Sequence, residues 1–410
     1  MTFAPQRILA VKLADLGDVL LATPALRALR QTYPDARIDA LVTPHTSLLI
    51  QHSGLVDRVI TFPKHAYDTP RALLHPGRLW RMARLYATIR SADYDAVALF
   101  HHLSTGYGLI KWRLLVAAAQ APVVAGLDNG HGGRWLTHPV PDRGFGAQHE
   151  VEYALAVAGV LGASTTDTAP ALPPFVDEET RARRWLGDES RPYLVIHAGS
   201  GGYSQARRWN PGHFAVVADA LAQQLDLRIV IVGTASDDGD AVAAAMKGPA
   251  LNLQGQTDLP DLVALLRRCA LFIGADSGVM HVAAAVGAPV VAIFGPSNHR
   301  AWAPWAPPER VAIIRPDIPC SPCTYVGTRV AFRGECDHRS CMAGIAPAQV
   351  IAAAVSVERR AWSVERQVGR AHAPVGRQTA RSTLYAPRFT LHASHFTLHA
   401  SRSSSSSSPA

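Results

Sequence analysis

The residues best placed to do chemistry lie in the run Phe272-Ile273-Gly274-Ala275-Asp276-Ser277-Gly278-Val279-Met280-His281, where a short polar turn separates an apolar segment from a small apolar helix. A helix beginning at the carboxyl end of a parallel strand offers free backbone N–H groups and a positive dipole end to an anion. The turn at Asp276, Ser277 and Gly278 is therefore expected to hold a phosphate. A second turn, Ala198-Gly199-Ser200-Gly201-Gly202, follows the apolar segment 193–197, and Arg207-Arg208-Trp209 comes close behind it. Such a turn brings backbone N–H groups against a ligand. An Arg pair at the cleft end of a strand supplies counter-charge for a diphosphate; the alternative is an ordinary solvated surface, the reading preferred for Arg208.

Near the N-terminus the apolar segment 8–13 ends in Ala14-Asp15-Leu16-Gly17-Asp18. Asp18 stands just past the strand, where a carboxylate either faces a cleft as a base or caps the next helix. Lys12, at the same strand end, is a further cleft candidate. Nicotinamide binding is disfavoured, because Gly199-Ser200-Gly201-Gly202-Tyr203-Ser204 has Ser where the third glycine of G-x-G-x-x-G belongs. Cys320, Cys323, Cys336 and Cys341 have the spacing of a structural zinc site, with no catalytic part. Irregular, proline-rich surroundings are also where unpaired thiols sit in a reducing cytosol, which is the preferred reading, and disulfides are not expected there.

The elements that must position these residues alternate in type. Apolar segments at 8–13, 38–42, 59–62, 96–100 and 123–126 are separated by helical patterns near 24–33, 79–90, 109–119 and 149–161, the first helix being interrupted or restarted at Thr23-Pro24. A proline-rich passage, 170–174, breaks the alternation. It resumes with segments at 193–197, 229–232, 271–273 and 290–294 and helices near 211–225, 236–246, 259–268 and 279–286. Strands separated by helices imply right-handed crossovers and parallel sheets. The expected fold class is α/β, with two doubly wound Rossmann-like domains, 1–170 and 171–358, and a ligand cleft between them.

Composition bounds the rest. With 410 residues, 48% of them hydrophobic, the chain can bury two cores. The net charge of +8 is concentrated beyond residue 358, where eight Arg stand against one Glu, so the body is nearly neutral. That argues against a nucleic-acid-binding face. The segment 359–410 is basic and then serine-rich, repeats Phe-Thr-Leu-His-Ala-Ser, and is expected to be disordered from about residue 367. An appended extension is preferred for it over a basic arm that meets the membrane. No apolar run reaches the roughly 18 residues of a spanning helix. A cytoplasmic protein is expected, with peripheral contact at the cytoplasmic face of the inner membrane as the further expectation.

Taken together, Val11-Lys12 with Gly17-Asp18-Val19, His197-Ala198-Gly199 with Arg207-Arg208-Trp209-Asn210-Pro211, and Gly274-Ala275-Asp276-Ser277-Gly278-Val279-Met280-His281 with Phe294-Gly295-Pro296-Ser297 resemble the glycosyltransferase family 9 heptosyltransferases, over about residues 7–356. The resemblance implies a GT-B fold, with its active site between two Rossmann-like domains, and inverting, metal-independent transfer of a heptose. The implied donor is ADP-heptose, and the acceptor a lipopolysaccharide-core or similar glycan. It implies that Asp18 is the general base. Arg207 falls where the family usually has a donor-phosphate lysine, and Ser200, Gly201, Asp276, Ser277, Gly278 and His281 fall at donor contacts. Asp237 stands where the family shows a glutamate that contacts the nucleoside, in a run that departs from the family's Gly-Gly-Pro. The acceptor is expected against 62–110, where His101, His102, Ser104 and Thr105 are either ligands or satisfied loop residues. A nucleotide-sugar epimerase or hydrolase and a non-catalytic sugar-nucleotide binding protein are the competing classes; Asp18 disfavours the latter.

Overall fold

A computed structural model describes residues 4–67, 71, 75–104, 106–201, 204–327, 336 and 338–371. The first half contains β1 (Arg7–Lys12), α1 (Leu16–Thr32), β2 (Arg37–Val42), β3 (Arg58–Thr61), α2 (Pro76–Arg90), β4 (Ala96–Leu99), α3 (Gly106–Ala119), β5 (Val123–Asp128), β6 (His138–Pro141) and α4 (Glu150–Gly159). The second half opens with α5 (Glu178–Leu186), β7 (Tyr193–His197), α6 (Pro211–Leu225), β8 (Arg228–Val232), α7 (Gly239–Ala245), β9 (Leu251–Asn252) and α8 (Leu259–Arg268). It continues with β10 (Leu271–Ala275), α9 (Gly278–Ala285), β11 (Val290–Ile293), α10 (His299–Trp302), β12 (Val311–Ile314), α11 (Ser340–Ala343) and α12 (Pro347–Ala371).

Each half is built on one parallel sheet. The orders are β3-β2-β1-β4-β5-β6 and β12-β11-β10-β7-β8-β9, so the chain winds outward twice from a central pair, β1 and β4 in one half and β7 and β10 in the other. Those four strands are almost wholly buried, and they read as apolar runs because helices cover both faces of each sheet. Strand order reverses between the members of each central pair. A crevice therefore opens at their carboxyl ends, where doubly wound sheets bind ligands.

Three features differ from expectation. Helix α1 runs unbroken through Pro24. Proline removes the N–H that would reach the carbonyl of Leu20, but the Thr23 hydroxyl donates to that same carbonyl at 2.7 Å and takes over the bond. The same oxygen accepts from Ala171 N–H at 2.7 Å, while Arg27 donates to the carbonyls of Asp167 and Ala169, so the connection between the halves is pinned along α1. Strands β6, β9 and β12 complete the sheets although no strand was expected there. Helix α12 carries on past 358 to Ala371, with Ala361 still buried, so the basic segment begins as ordered helix rather than as a tail. The serine-rich stretch from 372 onward lies outside the described residues.

Candidate active site

Asp18 lies in the first turn of α1, three residues after Asp15, which occupies the N-cap position without a side-chain capping bond. The capping alternative is therefore corrected: Asp18 points its carboxylate elsewhere. Its Oδ1 accepts from Trp302 Nε1–H at 3.2 Å and lies 4.0 Å from Lys12 Nζ. Lys12 is shared, with Glu150 Oε2 on its other side at 3.9 Å. Burial pushes the Asp18 carboxyl above the usual carboxylate range; Lys12 pulls against this, and the charges of Glu150 and Asp15 add to it.

Glu150, at the start of α4, is tied to the histidines that follow β4. His102 donates from Nδ1 to Asp142 at 2.9 Å and from Nε2 to Glu150 at 3.0 Å. Burial would lower the His102 pKa, but these two carboxylates outweigh it and push it up to about 9. The imidazolium in turn holds Asp142 and Glu150 below the usual carboxylate range in spite of their burial. His101 plays a different part. Leu13 N–H donates to its Nε2 at 2.8 Å, its ring stacks on Trp112 with centroids 4.1 Å apart, and burial drives it well below the usual imidazole range. Both histidines are thus engaged within the protein. Of the other two acceptor candidates, Ser104 is half-buried and Thr105 lies outside the described residues.

In the second half the candidate donor residues gather at the carboxyl ends of β7 and β10. Arg207 donates to Asp276 Oδ2 at 3.2 Å and to the Ser200 carbonyl at 2.8 Å, so it links the two turns. Gly201 has φ +65°, a left-handed conformation that glycine adopts without steric cost, and Gly202 next to it lies outside the described residues. Arg208 is not solvated, which corrects the expectation: it donates to Asp238 at 3.0 Å, to Asp237 at 3.4 Å and to Ser200 Oγ at 3.4 Å. Asp237 is committed inward, accepting from the backbone and hydroxyl of Thr234, each at 2.8 Å. Burial alone would raise its pKa, but His197 and Thr234 hold it well below the usual carboxylate range. A Cβ on Gly199 would come within 2.2 Å of Asp237, so only glycine fits there.

His197 completes a chain that the sequence did not single out. Its Nε2 is 3.5 Å from Asp237 and its Nδ1 3.2 Å from Ser277 Oγ, which also accepts from Met280 N–H to cap α9. Arg208, Asp237, His197 and Ser277 therefore lock three loops to the start of one helix. His281, in the same helix, is buried, and desolvation pushes it down to about 4, which leaves a neutral ring at pH 7. Among the described residues its Nδ1 has no hydrogen-bond partner, an exception among buried polar atoms.

The halves meet glycine to glycine. A Cβ on Gly17 would lie 2.5 Å from His281 Cδ2, and one on Gly278 would lie 3.0 Å from Leu16 Cδ2. The first turns of α1 and α9 thus pack together with little room for a Cβ at either glycine, which places Asp18, next to Gly17, at the contact between the halves. Trp302 reaches Asp18 from the second half, His149 Nε2 donates to the Ala303 carbonyl at 2.9 Å, and Asn298 Nδ2 to that of Phe145 at 3.2 Å. Glu150, Asp142 and Trp302 were missed, since no motif marks them; the sequence offers His102 only as an acceptor ligand or a satisfied loop residue, and His197 only as part of the run His197-Ala198-Gly199.

Cys320, Cys323 and Cys336 are exposed and Cys341 is buried. Burial raises the Cys323 and Cys341 thiols, and the charges of the other cysteines of this set add to it, so the four converge on one region. Among the described residues, however, no three His, Cys, Asp or Glu side chains are close enough to hold a metal ion.

The sequence model of glycosyltransferase family 9 (heptosyltransferase) matches residues 82–330. Lipopolysaccharide heptosyltransferase 3 of Escherichia coli K12 is 30% identical over 302 residues, which span 70% of this chain and 82% of that protein. Among solved structures, the glycosyl transferase family 9 protein of Veillonella parvula superposes with a TM-score of 0.66 at 23% identity, covering 87% of this chain and 98% of its own. The ADP-heptose lps heptosyltransferase II of E. coli does so with 0.64 at 22% identity, covering 88% and 99%. The paired Rossmann-like architecture is common to all three structures.

Proposed function

The chain belongs to glycosyltransferase family 9 and has the GT-B fold, and from that premise we propose that it moves a heptose from ADP-heptose to a lipopolysaccharide-core glycan, with inversion at the anomeric carbon. The observation that supports this reading is the Gly17–His281 approach, which packs the residue next to Asp18 against the helix that the 276–278 turn opens. Residues 1–170 form the acceptor half with the base, 171–358 the donor half, and α12 extends the latter. Asp18 takes the proton of the acceptor hydroxyl as its oxygen attacks the anomeric carbon. The bond to the diphosphate breaks, and its electron pair leaves on the phosphate oxygen. Arg207 and the N–H groups that open α9 stabilise that charge, and His281, neutral, offers Nδ1 to the donor. Ser200, Gly201, Asp276, Ser277 and Gly278 shape the phosphate turns. Asp237, spent on internal bonds, holds the loop rather than the nucleoside.

Inversion needs one base in line with the leaving group, which Asp18 across the cleft supplies, whereas an epimerase or hydrolase needs acid and base groups around the sugar. The cation at the leaving group, Arg207, belongs to the protein, so a metal has no catalytic part in this reading. A structural metal on Cys320, Cys323, Cys336 and Cys341 is supported by their spacing and convergence alone. We place the enzyme in the cytoplasm; among the described residues no helix is long and apolar enough to cross a membrane. Labelled ADP-heptose incubated with core acceptor, with and without EDTA, tests the proposal. Label in the glycan at an EDTA-insensitive rate supports it. Label released only as free or epimerised sugar, or transfer abolished by EDTA, overturns it.

A further inference from the structure

Helices α2 and α3, packed side by side on the first sheet, leave an unusual surface. Of the exposed large apolar residues described, Leu79 (47% exposed), Trp80 (63%), Ile110 (59%) and Leu114 (55%) lie on this one pair, whereas Leu48, Val160, Val176, Val216 and Val326 are scattered over separate parts of the chain. Around them are Arg78, Arg81, Arg84, Arg90, Lys111 and Arg113, and neither helix contains an Asp or Glu. The Arg84 guanidinium lies over the Trp80 ring, 5.5 Å from its centroid. Because α3 leaves the carboxyl end of β4 and α2 enters its amino end, the first half of each helix lies toward the carboxyl edge of the sheet. That edge carries Asp18; Leu79, Trp80 and Ile110 lie in those first halves, and Leu114 follows one turn after Ile110 on α3. The surface is also tied to the edge directly: Trp112 of α3 stacks on His101, and Lys111 donates to the carbonyl of Tyr67, whose hydroxyl donates to that of Arg78.

We propose that this face docks on anionic lipid headgroups, with Trp80, Leu79, Ile110 and Leu114 entering the interface and the arginines meeting lipid charge. Large apolar side chains flanked by cations with no intervening anion are what an interfacial surface requires. Phosphate recognition alone would not call for exposed Leu and Ile. Docked in this way, the protein presents the carboxyl edge of its first half to an acceptor whose glycan is lipid-borne; that consequence, and not the docking itself, rests on the proposed function.

Co-sedimentation of the full chain with vesicles of phosphatidylcholine, with or without phosphatidylglycerol, tests the proposal. The wild type should bind the anionic vesicles and release them as salt rises. Trp80→Ser with Leu114→Ser, and separately Arg81→Ala with Arg113→Ala, should each weaken binding about tenfold or more, each cation counting for about fivefold. Both pairs are exposed and should leave transfer to a delipidated core glycan unchanged, so failure of docking and failure of the transferase reading remain distinguishable. Three results would overturn the proposal: no binding by the wild type; variants that bind as the wild type does, which assigns binding to another part of the chain; or a smaller oligomer on size exclusion for the Ser variant, which makes the face a contact between copies.

Discussion

Lys12 faces two carboxylates at nearly equal distance, Asp18 at 4.0 Å and Glu150 at 3.9 Å, and this division governs the protonation of the proposed base. With Glu150 anionic beside it, Asp18 is only partly compensated, and its pKa stays raised by burial. Glu150→Gln keeps an acceptor for His102 but removes the negative charge, so both changes at Asp18 act in one direction, downward. The acid limb of kcat against pH should move to lower pH in this variant. A limb that stays put or moves up contradicts the shared-lysine account. On the donor side, Arg207→Ala should weaken ADP binding by about 1.5–3 kcal/mol, the scale of one charged hydrogen-bonding partner, and AMP binding by less. Arg208→Ala takes the guanidinium away from Asp237 and Asp238 and should lower thermal stability more than ADP affinity. Calorimetric titration together with melting separates the two; equal, small effects on ADP would mean that neither arginine meets the diphosphate. The candidates drawn from the sequence, Asp18 and the 276–278 turn among them, lie just beyond the carboxyl ends of strands, where position alone predicts exposure to a cleft. Glu150 and Asp142 join them through a histidine from another loop, a convergence that spacing along the chain does not encode.

Helix α1 shows how an element can defeat its own sequence signal. Pro24 predicts a break, yet the Thr23 hydroxyl supplies the donor that proline lacks at Leu20 and also accepts from Ala171. Thr23→Val should therefore cost about 1–3 kcal/mol, because it strands a buried carbonyl and a backbone N–H. Adding Pro24→Ala should recover part of that, since the restored N–H can bond Leu20. Denaturant unfolding of the single and double variants checks this, and a double variant no more stable than Thr23→Val would remove the substitution argument. The central strands were legible because burial on both faces makes them continuous apolar runs. The edge strands were not: β6 is His-Pro-Val-Pro and β9 only two residues, Leu251 and Asn252, so neither carries a run or an alternation long enough to read. Helix α12 outlasts its expected end because Ala361 still packs, a tertiary effect that a count of charges does not reveal.

At the scale of the molecule, two sheets with the same winding face each other so that both switch points open on one cleft, with β1 and β4 on one side and β7 and β10 on the other. The body outside the basic C-terminal segment is nearly neutral, so its charges act locally: Lys12 and His102 near the proposed base, Arg207 at the proposed leaving-group site, and the arginines of α2 and α3 at the outer face. In the proposed reaction that arrangement gives one half the proton acceptor and the other the diphosphate, and the two glycines that let α1 and α9 pack together bring the halves into contact. The central claim is that Asp18, across this contact, is the base of an inverting heptosyl transfer. The measurement that tests it most directly is turnover of ADP-heptose with core acceptor by wild type and Asp18→Asn, with the anomeric configuration of the product read by NMR and ADP affinity measured in parallel. The account predicts an inverted product from the wild type, and in the variant a rate lower by about 10²–10⁴ with ADP binding unchanged within a few-fold. Normal turnover by Asp18→Asn, or a product of retained configuration, would contradict it.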